Sequence, residues 1–307
     1  MAEVTALLVK ALRDKSGAGM MDCKHALIEN SCDMDASVDW LRKKGLAAAA
    51  KKAGRIAAEG LVAVAVEGNR GAIVEVNSET DFVARNPEFQ SFVGQIASTA
   101  LRFGGDYHKT LTAEMGADNS VEAAVTSMVG AIGEHLNFRR AQGVSVNEGI
   151  VASYVHSPTA PDMGRIGVLV GLESIADEAK LLALGKQLAM HVAASNPLWV
   201  AQSDVDSKAI DREREVLSAQ ARDSGKPEEI VSKMVDGRMR KYFEEVCLLE
   251  QIFVIDGEAK VAEALAAAEL DVGAPIKITG FARVHIGEGV EREDTDFATE
   301  VAATAAS

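Results

Sequence analysis

An α+β fold follows from three features of the 307-residue sequence. Apolar residues recur at three- and four-residue spacing over the N-terminal segment, as in amphipathic helices. Further on, two stretches read as strand, turn, strand, with alternating apolar residues: "EGLVAVAVEGNRGAIVEV" (59–76) and "EGIVASYVHSPTAPDMGRIGVLV" (148–170). Each stretch is followed by a segment of helical period. The length supports two or three units with a sizeable core.

Residues 1–55 read as three short helices. The first carries Val4, Leu7, Leu8, Ala11 and Leu12, the second runs around Met20 to Ile28, and the third holds Val38 and Leu41. The glycines of "SGAG" (16–19) separate the first two, and "NSCDMD" (30–35) supplies turn and N-cap residues before the third. The alanine-rich "KKGLAAAAKKAGRIAAEG" (43–60) has high helical propensity but little large apolar surface, and reads as a helical linker.

The two strand-turn-strand stretches share their Glu-Gly start and their order, which points to a duplicated α+β unit. Helices follow in "PEFQSFVGQIASTALRF" and "DEAKLLALGKQLAMHVAAS". A charged helical stretch from 204 onward breaks at "SGKP" (224–227), where Gly225 suits a C-cap and Pro227 the first turn of a new helix. Val231, Val235, Met239, Tyr242 and Val246 then form a narrow seam, which predicts an antiparallel helical hairpin projecting from the body. Strand-like "QIFVI", a helix in "AKVAEALAAAE", a strand pair in "PIKITGFARVHIGEGV" and a short acidic helix starting near Thr295 or Asp296 complete the chain. The resulting map is a head with linker at 1–55, a first core unit at 56–146, a second at 147–202 and 248–282, an inserted hairpin at 203–247 and a C-terminal module at 283–307.

The net charge is -14, with ten Lys/Arg against seven Asp/Glu in residues 1–56 and 22 against 39 in the remainder. A mildly basic head on an acidic body conflicts with nucleic-acid binding by counterion release. No apolar run is long enough to span a membrane, and the N-terminus lacks a basic-then-apolar leader. The three cysteines, Cys23, Cys32 and Cys247, lack metal-type spacing, which with their odd, sparse count predicts a reducing compartment, the cytoplasm.

Enzyme signatures are missing: no phosphate loop, no dinucleotide fingerprint, no H-E-x-x-H and no G-x-S-x-G. "GAGMMDCK" (17–24) contains glycine and precedes a helix, yet follows no strand, and Lys24 lies too deep in that helix for a phosphate cradle. The histidines form no ligand pair, and His191 reads as a partly buried helix residue. No metal or cofactor is expected.

Apolar residues set in polar turns remain. Met20 and Met21 stand at a helix start, where soft methionine side chains suit an adaptable contact or core filling, and the pattern favours core for one of the two. Phe82 follows a strand and the polar "NSET", and precedes "ARNPEF", where Pro87 enforces a break. The pattern leaves Phe82 evenly divided between core and contact.

Five ordered motifs, "SGAGMMDCKHAL" (16–27), "VEVNSETDFVARN" (74–86), "MHVAASNP" (190–197), "SGKPEEIVSKMVDGRM" (224–239) and "GEGVEREDTDFATEV" (287–301), make the whole chain similar to the bacterial elongation factor Ts family. Two positions depart from its pattern: Ile252 stands where the family has proline, and the second hairpin has an extended "SPTAPDMG" turn. The resemblance implies a ubiquitin-associated-like three-helix head, two related α+β core subdomains, an inserted antiparallel coiled coil and a C-terminal helical module. It implies guanine nucleotide exchange on elongation factor Tu, bound both with GDP and nucleotide-free, without covalent chemistry, cofactor, nucleic acid or membrane. Thr80, Asp81, Phe82 and Val83 would drive Mg2+ from the partner, Phe82 as a wedge. Met20, Met21 and His156 would be partner contacts. A general adaptor with several partners, or an RNA-binding translation protein, are the rival readings; the acidic balance opposes the second.

Overall fold

The computed structural model describes residues 3–116, 120–223 and 227–291. The expected Gly225 cap and the acidic helix near 295 fall outside these residues.

Three helices, α1 (Ala6–Ser16), α2 (Met20–Glu29) and α3 (Met34–Lys52), pack around Val9, Leu12, Cys23, Ala26, Leu27 and Leu41. Their boundaries follow from capping. Thr5 accepts a hydrogen bond from the Leu8 N–H, Gly17 closes α1 in the left-handed region at φ 67°, and Asp33 caps α3 through the Ala36 N–H. The expected linker, read over 43–60, continues the third helix only as far as Lys52, giving one 19-residue helix, and its last two residues, Glu59 and Gly60, open the next strand. The alanine-rich half earns its place by being thin: Gly45 on α3 meets Gly130 on α6 (Val121–Ile132) so closely that a Cβ on Gly130 would lie 3.2 Å from the Gly45 Cα.

Six antiparallel strands form the body: β1 (Glu59–Glu67), β2 (Arg70–Ser78), β3 (Leu136–Ser145), β4 (Gly149–Ala160), β5 (Met163–Glu173) and β6 (Lys277–His285). In one half β2 pairs with both β1 and β3; in the other β5 pairs with both β4 and β6. The halves thus share one topology, a hairpin whose second strand accepts a later strand on its other edge. Among the described residues, strands of the two halves pair with each other only where Val62 and Ala63 of β1 face Gly164 and Met163 of β5. The extended turn accounts for this joint. Its residues lengthen β4 and β5 to a two-residue tip at Pro161 and Asp162, and the Asp162 carbonyl accepts from the Val64 N–H at 3.0 Å.

Alternation along the strands builds three layers of core. Leu61, Ala63, Val74 and Val76 face α4 (Pro87–Arg102) and α6; Ile150, Val168 and Val170 face α7 (Glu178–Ser195) and α10 (Val261–Val272). Val62, Val64, Ile73, Val151, Leu169 and Val284 meet between the two half-sheets. The short α5 (Tyr107–Thr112) sits beside α4.

Helices α8 (Ser207–Arg222) and α9 (Glu228–Val246) pack against each other through Ile210, Leu217, Ala221, Val231, Val235, Met239 and Tyr242. Pro227 stands at the N-cap of α9, one residue before its first turn, and Val246 lies outside the seam. Instead the Val246 carbonyl accepts from the Leu198 and Trp199 N–H groups, while the Leu248 N–H donates to the Trp199 carbonyl. The helix pair therefore leaves and rejoins the body at one clipped point.

Three expectations for the last segment change. "QIFVI" is no strand but a single bridge, with the Phe253 N–H donating to Ala259 and the Val261 N–H to Gln251. Neither bond uses the N–H of residue 252, so Ile252 occupies a position that proline also fits. "PIKITGFARVHIGEGV" supplies one strand, not two, because Gly287 (φ 71°) and Gly289 (φ 75°) turn the chain after Ile286. Since β6 runs to His285, the boundary placed between 282 and 283 cuts a strand.

Candidate functional site

The segment after β2 is held by hydrogen bonds on both sides of the Phe82 side chain. The Ser78 hydroxyl donates to the Thr80 carbonyl at 2.8 Å. Residues 83–85 form a 3-10 turn in which the Arg85 N–H donates to the Phe82 carbonyl at 3.1 Å. Asn86 then caps α4 through the Glu88 N–H, with Pro87 in its first turn. Val83 and Ala84 point into the first core layer. Phe82, between the polar Asp81 and these anchors, is 76% exposed. Pattern leaves Phe82 evenly divided between core and contact; the packing excludes core, because the neighbouring small apolar residues take the inward positions.

Two carboxylates, one from each side, tie this turn to the connection between α6 and β3. Glu134 accepts from the Thr80 N–H at 2.9 Å and from the Thr80 hydroxyl at 2.6 Å. Reciprocally, Glu79 accepts from the His135 N–H at 2.6 Å. Arg55, just past α3, donates to Glu79 at 3.3 Å, and the His135 Nδ1–H donates to the Arg55 carbonyl at 2.7 Å. Lys52, in the last turn of α3, donates to the Gly133 carbonyl. None of these residues stands out in the sequence, since their pairing depends on two segments more than fifty positions apart.

Both methionines at the start of α2 are on the surface, Met20 59% and Met21 63% exposed, which corrects the assignment of one to the core. Leu12, Cys23, Ala26 and Leu27 fill the head's interior instead. The head approaches the start of α4: a Cβ at Gly17 would lie 3.3 Å from the Glu88 carboxylate. His156 is exposed on β4, hydrogen-bonded through Nδ1 to the Tyr154 hydroxyl at 3.2 Å. It lies in the other half-sheet, separated from β2 by β1 and β5. The candidate contacts thus lie on three separate elements: the start of α2, the turn after β2 and β4.

A sequence model of the family described as Elongation factor TS matches residues 79–288. Elongation factor Ts of Parvibaculum lavamentivorans is 58% identical over 306 residues, 99% of each chain. That of Rhodospirillum rubrum is 57% identical over 305 residues, again 99% of each, and that of Rhodospirillum centenum 57% over 306 residues, 99% of this chain and 100% of its own. The chain belongs to the elongation factor Ts family. Its role is therefore guanine nucleotide exchange on elongation factor Tu during translation elongation.

For a family whose work is a protein contact, the features that matter are exposed apolar side chains on framed backbone. Among the described residues no helix is long and apolar enough to cross a membrane, and no three His, Cys, Asp or Glu side chains are grouped to hold a metal. His191 is fully buried, more so than its helix pattern indicated; burial lowers its pKa despite the hydrogen bond to Gln251. Cys247 is buried as well, and burial pushes its thiol up to about 11, so it stays protonated.

Proposed function

We propose that this elongation factor Ts promotes GDP release by pressing Phe82 into the GTPase domain of elongation factor Tu, with Thr80, Asp81 and Val83 shaping the turn that carries it. The single observation behind this reading is a large aromatic side chain held out of a fixed turn whose next two residues are buried. Bound Mg2+ bridges nucleotide phosphates and protein ligands and tolerates little departure from octahedral geometry, so a small helix shift in the partner weakens nucleotide. No covalent bond is made or broken.

On this reading α1–α3 are a ubiquitin-associated-like head gripping the partner through Met20 and Met21, and the two half-sheets are related core subdomains. His156 touches a second domain of the partner, and α8 and α9 form a coiled-coil hairpin. The factor acts in the cytoplasm, binds Tu with GDP or without nucleotide, and stays bound until GTP arrives.

Stopped-flow release of fluorescent GDP from elongation factor Tu tests the wedge. Phe82→Ala is expected to lower the accelerated rate roughly 10- to 100-fold, the value of burying one aromatic side chain. Normal acceleration by folded Phe82→Ala and Asp81→Ala variants would remove the exchange role from this segment.

A further inference from the structure

The exchange turn is held in part from outside. Past Ser78 its peptide groups leave the β2–β3 ladder, and besides the turn's own Ser78–Thr80 and Phe82–Arg85 bonds its support comes from the loop at 133–135. Glu134 takes both the N–H and the hydroxyl of Thr80, two residues before Phe82. Glu79 takes the N–H of His135. The two carboxylates therefore close a ring in which each loop carries one acceptor for the other. Carboxylate acceptors give stronger and shorter hydrogen bonds than neutral ones, so such a ring fixes backbone direction at Thr80 and with it the aim of Phe82.

The ring has an outer brace from the head. Lys52 and Arg55, at and just past the end of α3, reach the Gly133 carbonyl and the Glu79 carboxylate, and the His135 ring returns a bond to the Arg55 carbonyl. Helix α3 also packs along α6, whose left-handed C-cap is Gly133. The same helix that carries part of the head's core thus ends on the support of the exchange turn.

We propose that Glu134 and Glu79 are positioning residues for nucleotide exchange, and that Arg55 braces them so that the head and the exchange turn move as one body. The proposal rests on the reading of Phe82 as the wedge. Neither carboxylate touches the partner's nucleotide; each acts through Thr80 and Phe82.

The test measures GDP release from elongation factor Tu over a range of factor concentrations, with full-length Glu134→Ala, Glu134→Gln, Arg55→Ala, Glu134→Ala/Arg55→Ala and Phe82→Ala variants. Glu134→Ala is expected to lower the maximal release rate about tenfold, the loss of hydrogen bonds to a charged acceptor, while the half-saturating concentration changes less than about threefold. Glu134→Gln, which keeps an acceptor oxygen, recovers most of the rate. Arg55→Ala gives a smaller loss that does not add to that of Glu134→Ala, since both act through one ring. A Glu134→Ala variant with the wild-type maximal rate overturns the proposal. So does a parallel loss of rate, affinity and melting temperature that Glu134→Gln does not relieve, because that pattern marks general destabilisation. If Phe82→Ala alone keeps full activity, the wedge reading itself fails; if Phe82→Ala is impaired and Glu134→Ala is not, only the positioning role fails.

Discussion

Glu75 lies in the middle of β2 with no exposed surface, on the face turned toward the second half-sheet. Such a charge persists only when its oxygens are fully engaged. Here Arg139 donates at 3.1 Å, Arg140 donates through Nε, Asn77 donates at 3.0 Å and the Gly287 N–H at 2.8 Å. Arg140 also reaches the His285 carbonyl at 2.9 Å. The cluster fastens the turn after β6 to the first half-sheet and so fixes where the chain leaves toward residues 292–307. Glu75→Ala leaves two guanidinium groups without their shared partner. Removing one member of a buried pair costs 3–5 kcal/mol, and because both arginines keep some contact with water the loss belongs near the bottom of that range, about 3 kcal/mol. Urea denaturation should show this loss, and Glu75→Gln should lose less. The sequence hides the role, since a carboxylate within an alternating strand looks the same whether its face meets water or a second sheet.

At the scale of elements, both hairpins, the three head helices, α4, α7, the α8–α9 pair and α10 were legible because periodicity and turn chemistry are local; α5, α6 and β3 were not among them. Asn86-Pro87 opens α4 and Gly68-Asn69 closes the first hairpin for reasons contained in a few residues. What was not legible depended on partners: much of the linker joined α3 where Gly130 of α6 lets the two helices approach, and "QIFVI" stayed irregular because His191, Ala259 and Val261 take its polar groups. His191 ties that segment to α7. Its Nε2–H donates to Gln251 at 2.9 Å, and its Nδ1 accepts from the Val254 N–H at 3.2 Å, so both nitrogens are satisfied only in the neutral ring. Protonation would set a second hydrogen against the Val254 N–H. The folded pKa is lowered, so the unfolded chain binds protons more readily below its own pKa of about 6.5, and stability is complete above that value and falls as pH drops through it. His285, also lowered by burial, contributes with the same sign. The melting temperature should hold between pH 8 and pH 7 and decline toward pH 5.5. His191→Asn, less stable at neutral pH, should show a shallower decline; an equal slope would exclude His191 as a source.

Across the whole molecule, exchange requires that the factor bind nucleotide-free partner more tightly than GDP-bound partner, by the same factor by which it weakens GDP. A thousandfold weakening corresponds to about 4 kcal/mol, whereas burying one phenylalanine supplies about 1.5 to 3 kcal/mol. Phe82 alone falls short, and the remainder must come from contacts that also differ between the two states. The head is placed to provide them. Met20 and Met21 are exposed at the start of α2, and α3 ends on the braces of the exchange turn. A head that gripped the partner equally in both states would add affinity without adding coupling. Affinities for GDP-bound and nucleotide-free elongation factor Tu, measured by titration calorimetry for the full-length Met20→Ala/Met21→Ala variant, separate these cases. The connected architecture predicts that both affinities fall and that their ratio also shrinks by several-fold, with a further reduction when Phe82→Ala is added. An unchanged ratio would mean that the head is a uniform grip and that the coupling resides in the core alone.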